Sequence, residues 1–250
     1  MRLPFPVFIL LLSACASGGV RPTAAPEEPE WTVIASFTTQ YRAHEADRSH
    51  NIATAAGALD GAVIEPGGAF SFNARVGKRS LESGYRNAPT LTLEGKEPAL
   101  GGGVCQVSST VFNALLLADL TVAEHHPHSR AVSYLPMGRD AAVAWPGKDL
   151  EMLNPHPFPV RLAARAEQGR LVVQVRAPAR FDHEVRVEVG DIERASPRRE
   201  FQVLERPDEL AVDGFWVKLY RKRVRDGSVY EVERIGDAAF YPFARPETAP

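Results

Sequence analysis

Gly101-Gly102-Gly103-Val104-Cys105-Gln106-Val107-Ser108-Ser109-Thr110 is the stretch that decides how this chain is read, because it runs straight into the apolar helical pattern Val111 to Leu120. Glycines let a backbone turn sharply and approach its neighbours closely. A helix that begins there presents unpaired N–H groups and a partial positive charge, and a thiol held at such a start is biased toward the thiolate. The expected centre of the fold is therefore a cysteine-led helix packed against strands.

On the N-terminal side, Trp31 to Gln40 alternates as a strand does, through Val33, Ile34 and Phe37. His44 to Leu59 carries Ile52, Ala55, Ala56 and Leu59 at helical spacing. If Ala69-Phe70-Ser71-Phe72-Asn73 is a strand, its phenylalanines pack inward and Ser71 and Asn73 face a groove. Thr90 to Lys96 alternates as one arm of a hairpin. On the C-terminal side, Thr121 to Glu124, Ala131 to Leu135 and Ala141 to Trp145 read as strands, and Leu150–Leu153, Val160–Ala164 and Leu171–Val175 as an antiparallel set. Past Arg180 the texture becomes charged β, with an Asp226-Gly227 hairpin signal. The expected class is α+β: one mixed domain over residues 31–180, then a small β-module over 181–250.

Residues 1–14 combine Arg2 with a short apolar run that ends at Leu12-Ser13-Ala14, immediately before Cys15. The run is too short to span a bilayer and fits a signal segment. A Cys at that place resembles the bacterial lipoprotein box, in which the thiol is lipidated. Residues 15–30 are small, polar and Pro-rich, as a flexible tether is. The expected location is the cell envelope, with the chain held to the membrane by a lipid on Cys15. With Ala at position 16, that is the periplasmic face of the outer membrane in a Gram-negative host. The 250 residues carry 29 basic and 31 acidic side chains and 44% hydrophobic residues. That is enough apolar material for a core, and it leaves no basic footprint for nucleic acid. With Cys15 acylated, Cys105 has no partner for a disulfide.

A series of ordered motifs runs from about Ser36 to Ala177. It includes His50-Asn51-Ile52, Phe70-Ser71-Phe72-Asn73, Gly84-Tyr85, the Gly101–Thr110 stretch, His126-Pro127-His128-Ser129, Gly138-Arg139-Asp140-Ala141, Lys148-Asp149-Leu150 and Asn154. In these the chain resembles the VanW family, named for an accessory protein of vancomycin-resistance clusters. The tail from Val212-Asp213-Gly214-Phe215 to Tyr241-Pro242 is similar to the small G5-related β-module that follows many VanW domains. The resemblance implies an envelope and glycopeptide setting, with peptidoglycan or a wall peptide as partner, and it supplies no mechanism.

The chemistry has to be read from the residues. A Cys nucleophile needs a base within hydrogen-bond reach and a group that orients the base. His126 and His128 are the candidate bases and Asp140 and Asp149 the candidate orienters. Gln106 and the N–H groups from Gly103 to Gln106 are candidate oxyanion donors, and Ser109 lies one turn after Cys105 on the same face. Acyl transfer or amide hydrolysis on a wall peptide is the corresponding reaction. The bland alternative is a buried structural thiol with capping Ser and Asp residues. A third reading is a binding module, in which Ser71, Asn73, Tyr85, the loop of Gly101, Gly102 and Gly103, and Tyr134 line a groove where a peptide or glycan docks without reaction. His125, His126, His128 and Cys105 are ligand types a metal accepts, but no HExxH or paired CxxC pattern accompanies them; neither a metal nor a cofactor is expected.

Overall fold

The computed structural model describes residues 30–91, 96–195, 209–210, 214–240 and 245–246. Cys15, the leader and nearly all of the tether fall outside these residues, as do Val212, Asp213, Tyr241 and Pro242. In chain order the elements are β1 Thr32–Gln40, α1 Ala46–Leu59, β2 Val63–Ile64, β3 Ala69–Ser71, α2 Phe72–Val76, β4 Asn87–Leu91, β5 Lys96–Leu100, α3 Val104–Leu117 and β6 Thr121–Glu124. They continue with β7 Glu151–Leu153, β8 Val160–Glu167, β9 Arg170–Ala177, β10 Glu184–Ala195, β11 Glu209–Leu210, β12 Gly214–Arg225, β13 Ser228–Phe240 and β14 Arg245–Pro246.

The α+β expectation is overturned. The described residues are mainly β, with fourteen strands against three helices. The strands divide into five separate antiparallel sheets: β1-β9-β8-β2, β3-β7-β6, β4-β5, β10-β12-β13 and β11-β14. This is not one mixed domain with a cysteine-led helix set against a single layer of strands. The physical reason is that the long charged strands β10, β12 and β13 together hold more chain than the two long helices, while α2 is five residues long. The expected strands over 131–135 and 141–145 do not form, apart from an isolated bridge between Ala144 and Lys148. The expected antiparallel set is split: β8 pairs with β9, whereas β7 pairs with β3 and β6.

The core follows the pleat of β8 and β9. Val160 and Leu162 of β8, and Leu171, Val173, Val175 and Ala177 of β9, are fully buried. The two strands meet at Gln168 and Gly169, both at positive φ, the geometry of a tight two-residue hairpin. The same device joins β12 to β13 at Asp226 and Gly227. Helix α1 adds Ile52, Ala55, Ala56 and Leu59 to the core. Helix α3 is buried on every side except at Cys105 and Leu117.

The glycine run explains how α3 enters so deep a position. A Cβ on Gly102 would lie 2.2 Å from the Ala88 carbonyl oxygen, and Gly103 has φ 107° with Ile52 packed against it. His50 and Asn51 brace the same region from α1. His50 Nε2 bonds Gly84 O at 2.9 Å, and Asn51 Nδ2 donates to Arg86 O and Gly102 O at 2.9 and 3.1 Å. The glycines therefore serve close backbone packing.

Helix α3 ends in a Schellman closure. Asp119 stands in the left-handed region at φ 60°, its N–H bonds Leu116 O, and Leu120 N–H bonds Leu115 O. The turn aims the Asp119 carboxylate at the third large sheet. There it meets His183 Nε2 at 2.9 Å, Arg223 at 2.8 Å and the buried Arg221 at 3.3 Å. Arg221 also donates to Leu120 O at 2.5 Å and to Glu233 at 2.7 Å. Leu219 of β12 belongs to the main core cluster, so this sheet closes the end of α3.

Burial pushes the Asp119 carboxyl up, but its bonds to Arg223 and His183 and the charge of Arg221 outweigh this and hold it below its ordinary value. Its stabilisation is present above the unfolded carboxyl pKa of ~3.9 and is lost as the pH falls through the lower folded value. Asp119→Asn is expected to cost about 3–5 kcal/mol at neutral pH in urea unfolding. The gap from wild type should narrow as the pH drops below about 4; an equal gap at all pH values would refute this account. Gly102→Ala is expected to cost at least about 3 kcal/mol in the same assay, because the added Cβ meets backbone rather than a movable side chain.

Candidate functional site

Helix α3 presents Cys105, Ser109 and Asn113 at four-residue intervals, with Ser108 beside them, and residues 139–143 dock along this face. Ser108 Oγ donates to Ala141 O at 2.6 Å, and Ala141 N–H donates to Ser109 Oγ at 2.9 Å. Asn113 donates to Arg139 O and accepts from Arg139 Nε, both at 2.7 Å. The Cys105 thiol reaches Val143 O at 3.5 Å. Helix side chains thus take the place of a neighbouring strand along residues 139–143, and this segment joins no sheet.

The docked segment carries Asp140, which is fully buried. Its Oδ2 accepts from the backbone N–H of His128 at 2.7 Å and bonds His128 Nδ1 at 2.6 Å. Nδ1 is thereby taken, and the ring also interacts with the Cys105 thiol, whose charge and hydrogen-bonding capacity raise the imidazole pKa. Cys105 is partly exposed. Burial pushes its thiol up, but hydrogen bonding and charge from His128, the backbone of Val143 and the charge of Arg79 outweigh burial and leave it below the ordinary thiol value. Burial pushes His128 down, yet Asp140 and Cys105 raise it to about 9. Both shifts act in the direction that favours a thiolate paired with an imidazolium. His125 contrasts with it: it stacks on Phe112 at 4.2 Å, bonds Asp140 O at 2.7 Å, and burial lowers its pKa.

The remaining sequence candidates separate into those near this centre and those held elsewhere. Tyr134 is near it. Burial and the negative charge of Cys105 raise the Tyr134 phenol, and Ser109 works against that rise. Ser109 also donates to Cys105 O at 2.7 Å. His126 turns away to Glu124 at 2.7 Å. Asp149 is an organising carboxylate on a different loop, accepting from Ser71 Oγ at 2.5 Å, Asn73 N at 2.8 Å and Leu150 N at 2.7 Å. Ser71 caps α2 through Ala74 N–H at 2.9 Å, and the chain turns helical at Phe72, so the groove argument built on a Phe70–Asn73 strand does not hold. Asn73 is buried and donates to Lys148 O at 2.8 Å. The Gln106 amide donates to Thr39 Oγ1 and Gln40 O at 3.0 and 2.9 Å and accepts from Arg48 at 2.6 Å, which removes it as an oxyanion donor. Gly102 and Gly103 are buried. The N–H groups of Val104 and Gln106 bond Gly101 O and Gly103 O, each at 3.0 Å. The N–H of Cys105 itself stands in the first turn, where a helix offers no carbonyl four residues back.

Arg79 was not among the sequence candidates. Its stem lies across Gly101, where a Cβ would come within 2.8 Å of Arg79 Cγ. Its guanidinium stands over the Phe72 ring and donates through Nη1 to Asn73 Oδ1 at 2.7 Å. Its charge acts on Cys105, Tyr85 and Asp149. In the sequence Arg79 is one of three basic residues among Arg75, Lys78 and Arg79, and no spacing singles it out. Its only signal is the glycine at 101 that makes room for its stem.

Residues 47–176 match the family described as VanW like protein, a segment that holds Cys105, His128, Asp140 and Arg79. The chain is 34% identical over 169 residues to the uncharacterized protein YoaR of Bacillus subtilis, covering 62% of this chain and 56% of that protein. It is 26% identical over 141 residues to the vancomycin B-type resistance protein VanW of Enterococcus faecalis, covering 54% of this chain and 50% of that one. The chain therefore spans about half the length of these curated relatives. No solved structure matches it. By the extent of the family match across its cysteine helix and both strands of the central hairpin, this chain belongs to the VanW-like family.

Proposed function

We propose that this protein works in the cell envelope, held there by a lipid on Cys15, and that Cys105, His128 and Asp140 carry out thiol-dependent acyl transfer or amide hydrolysis on a wall peptide. One arrangement carries the catalytic part: a single imidazole hydrogen-bonded through Nδ1 to a buried carboxylate and electrostatically coupled to a partly exposed thiol. This is the nucleophile, base and orienter arrangement that activates a thiol. Kinship with a vancomycin B-type resistance protein supports the wall setting.

The reaction runs from the ion pair. The Cys105 thiolate attacks the amide carbonyl and forms an S–C bond, with the developing oxyanion beside the first-turn N–H of Cys105. The C–N bond breaks as His128 hands its proton to the departing amine. The thioester then passes its acyl group to an incoming amine or to water. The neutral His128 removes a proton from that acceptor, and the thiolate returns. Asp140 holds the ring in position throughout.

Alkylation by iodoacetamide, read at the Cys105 peptide by mass spectrometry, tests the pair. The rate in the wild type is expected to titrate well below the ~8.5 of a free thiol. His128→Ala is expected to move that midpoint upward and slow the reaction at pH 6.5 by roughly 10–100-fold, while His126→Ala leaves it in place. A thiol that reacts only after unfolding would sink the catalytic reading and leave non-catalytic binding of a wall peptide. Asp140→Asn removes the bond that raises His128. Acyl transfer, once a substrate is in hand, should then lose its alkaline limb near pH 9 and fall at lower pH instead.

A further inference from the structure

The guanidinium of Arg79 is only half satisfied. Nη1 is held by Asn73 Oδ1 at 2.7 Å and Gly77 O at 3.1 Å. Nη2 is buried and has no hydrogen-bond partner among the described residues. The carboxylate nearest in the network does not fill that gap, since Asp149 Oδ1 serves Asn73 N and Leu150 N, and Oδ2 serves Ser71 Oγ. Buried donors are nearly always paired, and Arg is suited above all to a carboxylate. The head group is fixed: its stem is seated over Gly101, its face lies on Phe72 and one edge is pinned by Asn73. Asn73 in turn holds the turn from Ala144 to Lys148, directly after the Val143 carbonyl that touches the thiol. The cation is thus built into the same wall of the site as Cys105.

We propose that Arg79 is the donor of an anion subsite beside Cys105, and that the acyl substrate carries a carboxylate within one residue of the reacting carbonyl, as a terminal peptide residue does. The inference rests on the thiol reading above and adds the substrate class. Arg79 binds and orients; it takes no part in moving the proton.

Iodoacetate and iodoacetamide are nearly the same size, consume the same thiolate and differ by one negative charge. The ratio of their rates at Cys105, measured on the full chain and divided by the same ratio for glutathione, reports the subsite and cancels any change in thiolate fraction. The expected value in the wild type is about tenfold or more in favour of iodoacetate. Arg79→Gln is expected to lower it severalfold, to the level that the His128 imidazolium alone sustains, and Arg79→Lys, which keeps the charge without the planar fork, to leave it between the two. A wild-type ratio equal to that of glutathione, with iodoacetamide still reacting quickly, overturns the anion subsite and leaves the nucleophile standing. A high ratio that survives Arg79→Gln also overturns it. A thiol inert to both reagents removes the nucleophile and the subsite together.

Discussion

A helix buried on nearly all sides must satisfy its own polar side chains, and this constraint on α3 organises the molecule. Gln106, Ser108, Ser109, Thr110 and Asn113 are all buried within about two turns, where an unpaired donor or acceptor is costly. Each finds a partner in a different direction. Gln106 and Thr110 tie α3 to β1 through Thr39. Ser108, Ser109 and Asn113 tie it to residues 139–141. The apolar positions between them fill the core. The helix is thereby fixed in rotation as well as in place, and its one partly exposed position in the first turns is Cys105.

The two ends of α3 are set by opposite devices. At the start, glycines remove side chains so that backbone can lie against β4 and α1. At the finish, Asp119 accepts the left-handed conformation that most residues avoid and uses its carboxylate to hold the charged sheet. One end is defined by missing atoms and the other by a charge, and the thiol and its partners sit next to the first.

Much of this was legible from residue order. Periodicity located β1, α1 and α3, and the paired positive-φ residues of the Asp226–Gly227 turn are what that dipeptide implies. What escaped was structure set by side chain rather than by backbone ladder. Residues 141–145 alternate as a strand does, yet Ala141 and Val143 meet the hydroxyls and thiol of a helix while Ala142 and Ala144 bond His126 O and Lys148 O. Phe72 looks like the next step of a strand, but Ser71 caps a helix there. His126 and His128 flank one proline and are equivalent on paper. They are told apart only by Asp140, whose carboxylate bonds both the backbone and the ring of His128. Arg79 was invisible because its significance lies in an unfilled bond. The class itself was misjudged because the long charged strands past Arg180 carry more of the chain than the helical centre suggested.

Asp140 belongs to a segment with no secondary structure of its own, kept in register by four side chains of α3. The acidity of the thiol is therefore a property of docking, since His128 is turned toward Cys105 only while that segment lies in its groove. Detachment of that segment would return sulfur and imidazole to ordinary solution behaviour. The ionisation of Cys105 is thus a gauge of whether residues 139–143 are docked.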